Sequence, residues 1–254
     1  MVKIGIIGGT GLENMEIIEN SSDISIKTPY GNPSSALKEG SINGENIVVL
    51  NRHGKSHTIS PTNVNYRANI WALKEIGCTH ILATTAVGSL RQEIKPGDIV
   101  FPNQFIDHSK KRDLTFFDKE EVVHTPMAEP FCPWILEALQ STSKELDITY
   151  HTNKTVITIE GPRFSTKLES QMFRLWKADI INMSTCPEVT LAREQKIHYA
   201  AIALSTDYDS WKEDQEPVSY ELIQKTLKKS SSKVTKILLK TLAKIHKWED
   251  VCLN

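Results

Sequence analysis

The apolar run Tyr199–Thr206 leads directly into Asp207-Tyr208-Asp209. In an extended chain residues two apart face the same side, so the two carboxylates are expected to converge. Paired carboxylates raise each other's pKa, which favours a protonated general acid. Two other readings of Asp-x-Asp stand beside this one: a divalent-ion site, or surface acids in a loop with Glu213, Asp214 and Glu216. A calcium loop does not fit, because Trp211 falls at its fifth position and Lys212 where glycine belongs.

Several segments carry donors suited to an anion. Asn51-Arg52-His53-Gly54 follows a strand-like run. Arginine offers a planar fork matching phosphate oxygens, and histidine can add a donor. His57 lies four residues beyond His53, which is helical metal-ligand spacing, but Gly54 and Ser60-Pro61 argue for a loop. Thr84-Thr85-Ala86-Val87-Gly88-Ser89 reads as a hydroxyl-rich turn at the carboxyl end of an apolar strand, where ligands bind in open α/β sheets. Gly8-Gly9-Thr10-Gly11 closes the first apolar run; either it is a tight turn or its backbone N–H groups approach an anion with help from the Thr10 hydroxyl. Neither a dinucleotide fingerprint nor a P-loop fits its register, since the third glycine position is Asn14 and no Lys-Ser or Lys-Thr follows. Glu160–Ser165, with Phe164, and Asn182–Thr185 close two further strands.

The strands and helices expected to carry these residues alternate in type. Strands are expected at Val2–Ile7, at Ala36–Lys38 and Ile47–Leu50 joined by a turn at Asn43-Gly44, and at His80–Thr85, Ile99–Ile106, Thr155–Ile159, Asp179–Met183 and Tyr199–Ser205. A helix capped at Ser60-Pro61 carries Val64, Ala68, Trp71, Ala72 and Ile76 on one stripe and stops at Gly77. Others are expected near Trp134–Lys144, Thr166–Trp176 and Glu188–Gln195. A long amphipathic helix runs from Ser219 to about Lys247, with lysines from Lys225 to Lys244 on its outer face. That face reads as solvated, although basic amphipathic helices also meet membranes or partners. The alternation predicts an α/β fold, a single domain over residues 1–254 with a mixed, mostly parallel central sheet flanked by helices.

Composition narrows the function. Lys+Arg 30 against Asp+Glu 31 gives a net charge of −1, without the basic excess expected of a nucleic-acid binder. Cys78, Cys132, Cys186 and Cys252 are scattered and form no zinc-ligand or disulfide framework. The N-terminal apolar run is too short for a secretory leader, and no stretch approaches the roughly 18 apolar residues of a membrane span. A cytoplasmic location without a membrane partner is expected.

Taken in order, GIIGGTGL, RHGKSHT, NYRANIWALKEIGCTHILATTAVGSL, PGDIV, HTPMAEPFCP, TIEGPRFST, INMSTCPE and STDYDSWKE resemble the trimeric purine nucleoside phosphorylases, in their methylthioadenosine phosphorylase branch. The resemblance runs from the first strand to about residue 220. It implies reversible phosphorolysis of 5′-methylthioadenosine to adenine and 5-methylthioribose 1-phosphate, in purine and methionine salvage, by a homotrimer. It further implies that Thr10, Arg52, His53, Thr85, Ala86 and Ser184 hold phosphate. Met183 would meet the ribose, Phe164 would pack on the nucleoside, and Asp207 would protonate N7 of the leaving base. Asp209 and Ser165 would read the adenine edge, and His124 would contribute across the trimer interface.

No metal or organic cofactor is implied; inorganic phosphate is a co-substrate. Two departures bear on the 5′ substituent. Tyr220 and Ile223 stand where the family usually has small apolar residues, and the chain ends at Asn254 where members often extend further. The alternatives are a broader purine nucleoside phosphorylase acting on adenosine or 6-oxopurine nucleosides, and a non-catalytic nucleoside- or phosphate-binding module. A nicotinamide-dependent dehydrogenase is disfavoured by the broken glycine register.

Overall fold

The computed structural model describes residues 2–8, 18–119 and 121–245. Its strands are β1 (Ile4–Gly8), β2 (Glu19–Ile24), β3 (Leu37–Ile42), β4 (Glu45–Asn51), β5 (His80–Ser89), β6 (Ile99–His108), β7 (Tyr150–Ile159), β8 (Ile180–Asn182) and β9 (His198–Asp207). The helices are α1 (Tyr66–Glu75), α2 (Pro133–Glu145), α3 (Lys167–Leu175), α4 (Thr185–Glu194) and α5 (Tyr220–Ile245).

All nine strands join one sheet in the order β2-β3-β4-β1-β5-β8-β7-β6-β9. β9 also pairs with β5, so β5, β8, β7, β6 and β9 close on themselves and β1–β4 extend from β5 as an open wing. Pairings β1–β4, β1–β5, β5–β9, β6–β7 and β7–β8 are parallel, and the other four are antiparallel. The expected mixed, mostly parallel sheet is therefore present. Continuous apolar runs are what a sheet covered on both faces requires, and β1 and β9 are buried at every position.

Three local expectations change. Ser60-Pro61 does not cap α1; it opens a separate 3-10 turn, Pro61–Asn63, and Val64 is extended. The cap is Asn65, whose side chain accepts from the Ala68 N–H at 3.1 Å. Thr84–Ser89 is not a turn but the second half of β5. β2 has no counterpart among the expected strands: ENSSDI is almost wholly exposed and holds on to the sheet through antiparallel pairing with β3. The Asn43-Gly44 turn is as expected, with both residues at positive φ.

α5 packs on α2 and β9 and buries Leu227, Val234, Leu238, Leu242 and Ile245. Part of its lysine face is tied to this same chain. Lys233 donates to the Gly97 carbonyl, and Lys240 and Lys244 pair with Glu145, while Lys225, Lys228, Lys229 and Lys236 face solvent. That is the solvated-face reading. Among the described residues no helix is long and apolar enough to cross a membrane.

Candidate active site

A cavity of about 430 Å³ opens where β5, β8 and β9 end. Most of the sequence-predicted site residues meet there. Arg52 and His53 enter from the loop after β4, Thr85 and Ala86 from β5, and Ser184 from the N-cap of α4. Met183, Phe164 and Ser165 line the same space, as do Asp207, Asp209, Tyr220 and Ile223. Thr10 lies outside the described residues. His124 is exposed and does not line this cavity.

Both carboxylates reach the cavity, but not as extended i, i+2 neighbours. Asp209 has φ 48° and starts a 3-10 turn, a left-handed backbone that aspartate tolerates better than most residues. The turn brings its own N–H to Oδ1 of Asp207 at 2.8 Å. Oδ2 of Asp207 accepts from the Thr206 hydroxyl at 2.7 Å. Gly88 makes room: a Cβ there would stand 3.0 Å from Asp207 Oδ1.

Burial pushes the Asp207 carboxyl up to about 6, against hydrogen bonds from Thr206 and Asp209 that favour the charged form; repulsion from Asp209 is the least of these causes. Burial also raises Asp209, opposed by the Ser165 hydroxyl, which lies 2.7 and 2.6 Å from its two oxygens. The expectation that each carboxylate chiefly raises the other is corrected: loss of water is the larger cause.

The same cavity holds a hydroxyl cluster. Asn182 organises it, accepting from Thr158 at 2.9 Å and donating to Thr85 Oγ1 at 3.1 Å and Thr185 Oγ1 at 2.7 Å. Thr85 Oγ1 and Ser184 Oγ are 3.1 Å apart.

Arg52 and His53 differ from their expected donor roles. The Arg52 guanidinium is buried and forked onto Glu188, Nε to Oε2 at 2.7 Å and Nη2 to Oε1 at 2.8 Å, with Nη1 donating to the Thr84 carbonyl at 2.9 Å. Burial works against its charge, but Glu188 more than compensates and holds its pKa above the ordinary value. Burial, and then the Arg52 charge, push His53 down to about 4, so the ring is neutral at pH 7. Its Nδ1 is 2.9 Å from the Ile59 carbonyl. A carbonyl only accepts, so Nδ1 carries the proton and Nε2 is left as an acceptor.

Sequence reasoning missed Glu188 and Tyr199 as site-supporting residues. Both lay inside expected elements, where each reads as ordinary helix or strand. No pattern along the chain marks the pair, because the burial of Glu188 exists only in the folded protein.

The phosphorylase superfamily pattern matches residues 3–243. S-methyl-5′-thioadenosine phosphorylase of Xenopus tropicalis is 56% identical over 250 residues, spanning 96% of this chain and 89% of the relative. The Drosophila melanogaster enzyme of the same name is 49% identical over 260 residues, spanning 100% and 90%. Methylthioadenosine phosphorylase from Schistosoma mansoni in complex with adenine superposes with a TM-score of 0.94 at 41% identity, covering 98% of this chain and 93% of that one. A mutant adenosine/methylthioadenosine phosphorylase from the same organism, in complex with methylthioadenosine, gives 0.93 at 41% identity over the same shares. By sheet, cavity and relatives alike, the chain belongs to the phosphorylase superfamily, in its S-methyl-5′-thioadenosine phosphorylase family.

Proposed function

We propose that the protein catalyses the reversible phosphorolysis of 5′-methylthioadenosine to adenine and 5-methylthioribose 1-phosphate. The observation that carries this reading is one cavity that holds both hydrogen-bonding groups for an oxyanion and a carboxyl of raised pKa.

A phosphate oxygen forms the new bond to C1′ as the bond from C1′ to the purine N9 breaks. The departing electron pair enters the purine ring. Asp207 passes its proton to N7, which neutralises the leaving base. Burial brings the Asp207 carboxyl up to about 6, far nearer neutral pH than an ordinary aspartate, so its protonated form is within reach at working pH. Thr206 suits both states of the acid. Its single hydroxyl proton lies between Asp207 Oδ2 at 2.7 Å and the Val87 carbonyl at 3.2 Å, so it can turn to Val87 when Asp207 carries its own proton. Asp209, oriented by Ser165, accepts from the exocyclic amino group of adenine; a 6-oxopurine would present a lone pair there.

Positive charge building on the ribose is stabilised by the phosphate beneath it. Thr85, Ser184 and Arg52 donate to that phosphate, and a protonated phosphate oxygen can donate to His53 Nε2; the resemblance gives Thr10, outside the described residues, a share in the same role. Met183 and Phe164 pack on the nucleoside, and Tyr220 and Ile223 face its 5′ end. The chemistry needs no metal or organic cofactor. We extend the reading to a cytoplasmic homotrimer in purine and methionine salvage. In support, Leu168, Leu175 and Trp176 of the α3 region, and Val122 and Val123 beside His124, are large apolar side chains left exposed on a single chain.

The test is a kcat/KM comparison of methylthioadenosine, adenosine and inosine at fixed phosphate, with adenine release also followed without phosphate. Strict phosphate dependence and methylthioadenosine ahead of inosine are expected. Equal release without phosphate would sink the reading, and binding of phosphate without turnover would favour the binding module.

Thr85→Val keeps shape but removes a hydroxyl from the oxyanion side. Loss of one hydrogen bond to a charged ligand should raise the KM for phosphate about tenfold and leave the nucleoside KM within about twofold. Initial rates over a phosphate series decide it; an unchanged phosphate KM removes Thr85 from the anion site.

A further inference from the structure

Arg52 lines the cavity, yet much of its hydrogen-bonding capacity is turned away from it. Glu188 takes Nε and Nη2, and the Thr84 carbonyl takes Nη1. These bonds use three of the five N–H groups of a guanidinium and fix its plane, so an anion in the cavity is met by the remaining Nη hydrogens. Glu188 itself does not line the cavity and is fully buried. Tyr199 of β9 locks it from behind, its hydroxyl donating to Oε1 at 2.7 Å. Glu188 sits on α4, whose N-cap is Ser184. Ser184 and Glu188 are four residues apart, but Cys186 between them is extended, so the cavity hydroxyl and the holder of the arginine stand on either side of a kink.

A buried carboxylate beside an anion site looks counterproductive, because it cancels the arginine's charge. A buried ion pair is weak evidence for stability, and its best-supported use is to specify one arrangement. Here that arrangement aims donors that a free arginine would swing among several rotamers.

We propose that Glu188 is a positioning residue for phosphate, holding Arg52 in the single orientation that presents its outer Nη hydrogens to the cavity, with Tyr199 as its lock. The proposal rests on the phosphorolysis reading above. The site then takes its anion through aimed hydrogen bonds rather than net positive charge, since Arg52 and Glu188 sum to zero.

The test is steady-state kinetics with methylthioadenosine and inorganic phosphate varied in turn, on Glu188→Gln, Glu188→Asp and Tyr199→Phe, beside Thr85→Val. Glu188→Gln should raise the KM for phosphate about tenfold or more, the worth of a charge-assisted fork. The KM for methylthioadenosine should stay within about twofold, and kcat at saturating phosphate should largely persist, because the base-side machinery is untouched. Glu188→Asp restores the charge but shortens the reach, and should fall between wild type and Gln. Tyr199→Phe leaves the ion pair in place and removes only its lock, so it should raise the phosphate KM less than Glu188→Gln does, about threefold.

A merely structural glutamate would lower the melting temperature without separating the two KM values. If Glu188→Gln does not fold, the Asp and Phe variants carry the test. An unchanged phosphate KM in every folded Glu188 and Tyr199 variant overturns the proposal while Thr85→Val still raises it. If Thr85→Val also leaves it unchanged, or turnover does not depend on phosphate, the phosphorolysis reading fails instead.

Discussion

Replacing Asp207 with Asn is expected to cut kcat/KM for methylthioadenosine by about a hundredfold or more, the usual contribution of a placed general acid. Asparagine keeps the shape and still accepts a hydrogen bond, but has no proton to give N7. In the wild type the carboxyl, raised to about 6 by burial, should put a basic limb near that pH on the kcat/KM profile; in the variant that limb should vanish. An unchanged rate, or a limb that survives the substitution, would remove Asp207 from the chemistry.

The same carboxyl makes a second measurement possible on folding. Its native pKa of about 6 lies above the ordinary 3.8, so the native state holds the proton more tightly than the unfolded chain. That contribution to stability is whole below about pH 4 and is lost as pH rises through about 6. Above that pH the wild type carries a buried charge costing on the order of 3 kcal/mol. Asp207→Asn should therefore be the more stable protein at pH 8 and lose that advantage near pH 4. Urea unfolding at the two pH values would show it, and a gain independent of pH would contradict it. An active-site group that impairs folding at working pH is the expected signature of function placed against stability.

Arg52→Met is expected to have the other large effect, and on both axes. Methionine fills comparable volume but leaves Glu188 buried, among the described residues, with the Tyr199 hydroxyl and without the Arg52 counter-charge. Breaking a buried pair from one side costs about 3–5 kcal/mol, a large share of the stability of a domain this size. Phosphate-dependent turnover should fall to background in whatever fraction folds. Denaturant unfolding and phosphate titration on the purified variant check both parts; a stability loss under about 1 kcal/mol would mean that water or a rotamer change reaches Glu188.

These residues were legible in the sequence to different degrees. The strands of the closed ring were recognisable by their buried apolar stretches, which burial on both faces demands, whereas the polar first half of β7, residues 150–154, was not, because it is only partly buried. β2 was not, because its polar residues are held only by the ladder to β3 and carry no burial signal. The start of α1 was misplaced for a local reason. Ser60-Pro61 has the chemistry of a cap, yet the Asn65 side chain made the bond, and nothing within the segment decides between two competent caps.

Already written in the chain are the alternation of elements, the absence of a basic excess, and the residue types that stand along and after the strands, from Arg52-His53 through Thr85 to Asp207 and Asp209. Those follow from local pattern and composition, which neighbours along the chain suffice to express. What those side chains do depends on contacts that folding alone creates. Arg52 and Glu188 lie 136 positions apart, so no spacing rule could pair them. The neutral ring of His53, its proton committed to Ile59, and the raised carboxyl of Asp207 arise from burial. Burial is a property of the folded surface, and the same residues in an open chain would titrate at their ordinary values.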